Sequence, residues 1–200
     1  MKEKLKAFLE KQKNKKPLAL ASDIFFIVLL LLLLIPATRR EIKTFVSRIT
    51  MTQPRINSNS DIFLNNDELS FTFLDQKGEE KKLSELGDSV IFLNFWATWC
   101  PPCRAEMPAI QNLYNEFGEK IVFVLVSNEN KSVINNYLNT NNYKLPIASS
   151  LSTPAGRLSS GTIPSTFIIG KNGRLLLAKK GAAKWDGENI KNLINNNLNN

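Results

Sequence analysis

The two cysteines of this 200-residue chain stand together in Trp99-Cys100-Pro101-Pro102-Cys103-Arg104, directly after the apolar run Val90-Ile91-Phe92-Leu93-Asn94-Phe95-Trp96. Such a run, ended by a turn and followed by a helix-like pattern, predicts a buried strand that delivers both sulfurs to a helix N-terminus. Unpaired backbone N–H groups and the positive end of the helix dipole stabilise a thiolate there. Cys100 is therefore expected to ionise readily and to act as an exposed nucleophile. Cys103, one turn into the helix and more buried, is placed to resolve a mixed disulfide. Pro101 and Pro102 lose no intrahelical bond in a first turn, and their fixed φ stiffens the bend.

Other uses of two cysteines fit less well. A structural staple across two residues removes little entropy from the unfolded chain. A structural zinc wants four ligands, whereas the chain has two cysteines and no histidine. Covalent haem attachment needs His where Arg104 stands. Thiol–disulfide exchange remains, with no metal and no cofactor called for. A module delivering a thiophilic ion such as Cu(I) through the two sulfurs is the alternative from another class. Against it stand the lack of His and the presence of only Met107 close to the cysteines.

The stretch from Leu93 to Pro108, Leu-Asn-Phe-Trp-Ala-Thr-Trp-Cys-Pro-Pro-Cys-Arg-Ala-Glu-Met-Pro, resembles the active-site segment of the TlpA/ResA-like family of membrane-tethered, thioredoxin-fold disulfide reductases. Gly161-Thr162-Ile163-Pro164-Ser165-Thr166-Phe167-Ile168-Ile169 resembles the family's cis-proline loop and following strand. With the elements around them the resemblance covers roughly residues 65 to 198. It implies that Pro164 is a cis proline facing the dithiol, that the Ile163 backbone pairs with an extended substrate segment, and that Trp99 shields the sulfurs and meets partners. Trp96 reads as core.

Glu106 lies three residues after Cys103, on the same helix face. Spacing alone leaves two readings open: a group exchanging a proton with the resolving thiol, or a solvated acid complementing the helix N-terminus. The resemblance favours the first, because the family carries a glutamate at the matching position. Asn94 departs from the buried aspartate that many thioredoxins carry six residues before the first cysteine, which shifts proton handling onto Glu106. The segment also lacks the threonine that thiol peroxidases carry three residues before the nucleophile.

The net charge of +8 is unevenly placed. Residues 1–17 carry +5, Asp23 adds −1, residues 36–60 carry +4, and residues 61–200 are neutral overall. The excess thus flanks the apolar segment Leu18 to Ile35, as around a membrane span, and leaves no basic face for nucleic acid. At 1.5 Å per residue those 18 residues reach about 27 Å, just short of a bilayer core. No small-residue cleavage pattern follows Ile35, so an uncleaved anchor is expected. Ile42, Phe45, Val46 and Ile49, opposite Arg39, Arg40, Lys43 and Arg48, predict an amphipathic helix at the membrane surface or, alternatively, packed on the domain. Met51 to Ser60 reads as a linker.

The expected organisation is a basic cytoplasmic N-terminus (1–17), a transmembrane anchor (18–35), a juxtamembrane segment and linker (36–60) and a thioredoxin-like α/β domain (61–200). Within the domain we expect a hairpin from Glu68–Asp75 and Glu79–Leu83 and strands at Val90–Trp96, Ile121–Val126 and Tyr143–Ile147. Helices are expected from Pro101 to about Phe117, kinked at Pro108, and at Ser132–Asn139. A helical turn is expected within Thr153–Leu158, then a hairpin of Ser165–Gly170 and Arg174–Lys179 across Asn172-Gly173, then a closing helix. This is a thioredoxin fold with a central mixed sheet, an N-terminal β-hairpin and a central helix–strand insertion, preceded by one transmembrane helix. The implied function is extracytoplasmic reduction of protein disulfides, fed by a membrane dithiol donor, in a single-pass protein of the bacterial inner membrane facing the periplasm. An oxidase or isomerase is the competing direction, and an apocytochrome c, a metal-assembly factor and a sporulation or envelope protein are all open as substrates.

Overall fold

Residues 21–28, 36–56 and 62–198 are described by the computed structural model of the protein. Residues 21–28 are helical; the rest of the expected span, the basic N-terminus and residues 57–61 of the expected linker lie outside the described residues. Among the described residues no helix is long and apolar enough to cross a membrane. The chain divides into two units, Met1–Lys43 and Thr44–Asn200.

Helix α1 (Pro36–Thr50) crosses that division. Its Phe45, Val46 and Ile49 are exposed, at 63%, 52% and 69%, while Thr44 is buried. The apolar stripe therefore faces away from the domain. Residues Met51–Ile56 are not a free linker, contrary to the sequence reading. Lys184 N–H donates to Thr52 O at 3.1 Å, Asn189 Nδ2 donates to Pro54 O at 2.8 Å, Pro54 is buried and Ile56 packs on the core. Polar composition suggested solvent; distant partners supply the hydrogen bonds instead.

A short helix α2 (Asn66–Leu69) follows, where the reading placed the start of a strand. The reason is a capping box: Asn65 Oδ1 accepts from Glu68 N–H while Glu68 Oε2 accepts from Asn65 N–H, each at 2.9 Å. The opening hairpin is then β1 (Thr72–Leu74) with β2 (Glu80–Lys82), antiparallel. Next come β3 (Ile91–Phe95), α3 (Pro101–Phe117), β4 (Val122–Val126), α4 (Lys131–Thr140), β5 (Ile147–Ser150), β6 (Ser165–Ile169), β7 (Leu175–Lys180) and α5 (Glu188–Leu198). Strand β5 begins where the reading ended it. Tyr143 N–H instead closes α4 by donating to Leu138 O at 2.9 Å, and Pro146 has no N–H to offer a ladder. Helix α3 runs through Pro108 without interruption.

The strands form one mixed sheet in the order β2-β1-β5-β4-β3-β6-β7. Strands β3, β4 and β5 are mutually parallel, and β1, β6 and β7 complete the sheet antiparallel to their neighbours, with β2 antiparallel to β1. Both faces are covered, which is why the central strands read as unbroken apolar runs rather than alternating ones. Alternation still sorts the side chains. Phe92, Leu125 and Ile168 join Ile110 and Leu113 of α3, Ile134 of α4 and Ile190 of α5 on one face. Ile91, Leu93, Val124 and Phe167 meet Leu64, Phe71 and Leu158 on the other. Trp185 is fully buried edge-on to Phe92, ring centroids 5.3 Å apart. The last hairpin turns at Asn172 and Gly173, whose φ values of 58° and 74° explain the Asn-Gly pair.

Helix α3 thus stands on the sheet through side chains with no surface. We expect Leu113→Ala to cost about 2–5 kcal/mol in denaturant unfolding, the range for a buried leucine, and Phe45→Ala less than about 0.5 kcal/mol. Equal losses would contradict the assignment of the core.

Candidate active site

Strand β3 ends at Phe95, and the next five residues turn the chain into α3. Cys100 is the N-cap of that helix: its extended backbone (φ −87°, ψ 108°) lets Sγ accept from the Cys103 N–H at 3.3 Å. Pro101 and Pro102 occupy the first two helical positions, where neither owes an intrahelical bond. The two cysteines are joined in a disulfide, Cα atoms 5.2 Å apart. Cys103 is fully buried, and Cys100 is 3% exposed rather than the open residue the sequence suggested. Its sulfur is turned toward Cys103 and lies 3.8 Å from Ile163 O, in the loop before β6. The Ile163–Pro164 peptide is cis. Trp99 stands out from the turn at 59% exposure, and Trp96 is buried against Tyr137. The structure brings Cys100, Cys103 and Ile163 together, with Trp99, Pro101 and Pro102 around them and Pro164 next in the loop.

Beneath this turn lies Glu106, fully buried. The reading of a solvated acid at the helix end is excluded by that burial. Its Oε1 accepts from Asn94 Nδ2 at 3.0 Å; its Oε2 accepts from the Ala183 N–H at 3.1 Å and from Trp185 Nε1 at 2.9 Å. Burial drives its pKa upward because a dry site disfavours charge, while the donors from Trp185, Ala183 and Asn94 and the Lys179 charge pull it down. The outcome is a pKa raised to about 7. A carboxyl group titrating there takes or gives a proton at neutral pH, one helical turn beyond Cys103.

Asn94 fills the buried position expected to lack proton chemistry and does something else. Opposite Thr166 in the β3–β6 ladder, it donates Nδ2 to Thr166 Oγ1 at 2.8 Å as well as to Glu106. Its Oδ1 is buried without a hydrogen-bond partner. A half-turn of the amide would present that oxygen to a protonated Glu106, so this residue can serve either charge state. Sequence reasoning missed Ala183 and Trp185 as partners of Glu106, and Thr166 as a partner of Asn94. The available signal was Trp185 itself, because a buried indole N–H needs an acceptor.

Comparison with known proteins adds the lineage. The thiol-disulfide oxidoreductase ResA of Bacillus cereus is 34% identical over 110 residues, 54% of this chain and 64% of that protein. The chain therefore spans just under two thirds of the length of the curated relatives it matches. A Chlorobium tepidum protein proposed to be the thiol:disulfide interchange protein DsbE has a similar structure, with a TM-score of 0.53 and 25% identity, covering 68% of this chain and 99% of that one. A Bacteroides vulgatus protein proposed to be a thiol-disulfide oxidoreductase gives a TM-score of 0.52 at 28% identity, covering 64% and 91%. Residues 65–177 match the AhpC/TSA family, more than half of the chain, and the protein belongs to that family with a thioredoxin-like α/β fold.

Proposed function

We propose that the protein is a thiol–disulfide oxidoreductase that reduces protein disulfides. The observation that carries this reading is the Cys100–Cys103 pair capping α3 beside the Ile163–Pro164 loop, with a buried carboxyl group of near-neutral pKa one turn further along. Names of the relatives and of the similar structures support it. In the reduced protein the Cys103 N–H and the helix end stabilise a Cys100 thiolate. That thiolate attacks one sulfur of a substrate disulfide; the other sulfur leaves as a thiolate and a mixed disulfide remains. Cys103 passes its proton to ionised Glu106 and attacks Cys100 Sγ, which expels the second substrate thiolate. Two electrons have then moved to the substrate, and Cys100–Cys103 is the disulfide seen in the structure. A membrane dithiol donor returns them by the reverse exchange. Ile163 offers its backbone, and exposed Trp99 its ring, to the substrate chain.

The charge excess around residues 18–35 and the outward apolar stripe of α1 support a membrane-anchored protein with its domain outside the cytoplasm. A bacterial inner membrane, with the domain in the periplasm, is the compartment where a tethered reductant has oxidised substrates.

Three outcomes test this reading. Cys103→Ser should accumulate mixed disulfides with substrate proteins, and Cys100→Ser should not; insulin reduction should fail in both. Stoichiometric Cu(I) binding by a wild type inactive on insulin would point to metal delivery instead. An alkaline phosphatase fusion at the C-terminus should be active and the protein should stay with membranes in carbonate, whereas a soluble or cytoplasmic product would refute the anchor.

Glu106→Gln should slow disulfide reduction about 10- to 100-fold, at or below the usual range for losing an acid–base group. The same substitution has a signature in stability. With a folded pKa of about 7 against an ordinary 4.5, the folded protein keeps a proton that the unfolded chain has released. Stability from this group is therefore full below 4.5, falls as pH rises through the folded pKa and then levels, a loss of about 3 kcal/mol at most. Denaturant titrations of wild type and Glu106→Gln should diverge over that window, and parallel curves would show an ordinary carboxylate.

A further inference from the structure

Thr98 sits in the turn that carries the chain from β3 into α3, two residues before Cys100. Its backbone N–H donates to Glu129 Oε2 at 2.5 Å and its hydroxyl donates to Glu129 Oε1 at 2.7 Å. One carboxylate thus holds both donors of one residue. Glu129 is itself braced: Ser127 Oγ donates to Oε2 at 3.3 Å, and the Glu129 N–H lies 3.4 Å from Ser127 Oγ. The fold brings the two loops together because β3 and β4 are adjacent and parallel, so both end on the same edge; the Trp96 N–H donates to Val126 O at 3.0 Å. Phe95, Trp99, Glu129 and Ile163 also line one cleft beside the disulfide, of about 290 Å³. Nothing in the proton path through Glu106 uses this contact.

We propose that Glu129 is a positioning residue for the redox turn. Holding Thr98 at both donors fixes where the chain enters α3, and with it the alignment of Cys100 Sγ on the Cys103 N–H. Hydrogen bonds weaken steeply with misalignment, so a slack turn stabilises the thiolate less. This inference rests on reading Cys100 as the nucleophile. The rival account of Glu129 is a simple negative charge that opposes the thiolate through space, and it has the opposite sign: removing the charge would make Cys100 more reactive. The other charged groups on the neighbouring helix turns are Arg104, laid over the Tyr137 ring at 5.6 Å, and buried Glu106.

The experiment is iodoacetamide alkylation of Cys100 in the reduced full-length protein at neutral pH, followed by peptide mass, with the dithiol–disulfide equilibrium measured against glutathione. Thr98→Val keeps the size and the carboxylate and deletes one donor. Glu129→Gln keeps the shape and turns an NH₂ toward a donor. Both should slow alkylation about 3- to 10-fold and shift the equilibrium toward the disulfide by the same factor, a tenfold change being about 30 mV for this two-electron couple. Thr98→Ser, which restores the hydroxyl, should react within about twofold of wild type. Unfolding cannot imitate this result, because it exposes both thiols and speeds their reaction. Faster alkylation in Glu129→Gln, unchanged rates in both variants, or a slow Thr98→Ser would each overturn the proposal. A wild type unable to reduce insulin would overturn the enzymatic reading while the ranking of alkylation rates still decides the role of Glu129.

Discussion

The structure depends on the burial of one carboxyl group. Glu106 has no surface, and a dry site opposes its charge. Three donors oppose that penalty, from a strand side chain, a backbone amide and an indole. The balance leaves a group that titrates at neutrality instead of one locked in either state. It also ties together elements far apart in sequence, because β3, α3 and residues 183–185 must all arrive for the donors to converge, with β6 holding Asn94 from its other side. A half-made network of this kind would cost more than none, so the fold and the chemistry are specified by the same contacts.

The redox machinery stands at the end of a helix whose limits were legible in the chain. Two prolines after a cysteine announced the start of α3, and the expected end at about Phe117 agrees with the structure. The unbroken apolar runs of β3 and β4 and the Asn-Gly turn of the last hairpin were equally readable, since local chemistry alone decides them. Strand β5 was not: Ile147-Ala148-Ser149-Ser150 has no apolar alternation, and its place is set by the neighbours β1 and β4. The capping box at Asn65 and Glu68 is present as a pattern in the chain, but the sequence reading, which began a strand at Glu68, did not use it. Glu106 could be placed on the face of Cys103 by counting. Its burial could not, because the donors come from 12 residues before it and 77 and 79 residues after it.

The segment Met51–Ile56 is itself part of the domain, tied to it by hydrogen bonds. Its hydrogen bonds run to Lys184 and Asn189, on either side of the residue that follows Trp185-Asp186 in the chain. The strap therefore lies along the same stretch that supplies two of the three donors to Glu106. A sequence reading sees a mostly polar stretch with one proline there, since the contacts span 135 positions in the longest case.

The central claim is that buried Glu106 exchanges its proton near neutral pH, far above the ordinary carboxylate range, in the oxidised protein. Carbon-13 NMR of glutamate carboxyl groups reads this directly, with the Glu106 resonance assigned by its loss in Glu106→Gln and the cysteines held in their disulfide so that no thiol titrates. The account predicts a midpoint near pH 7 for that one resonance. A midpoint at the ordinary carboxylate value of about 4.5 would contradict it.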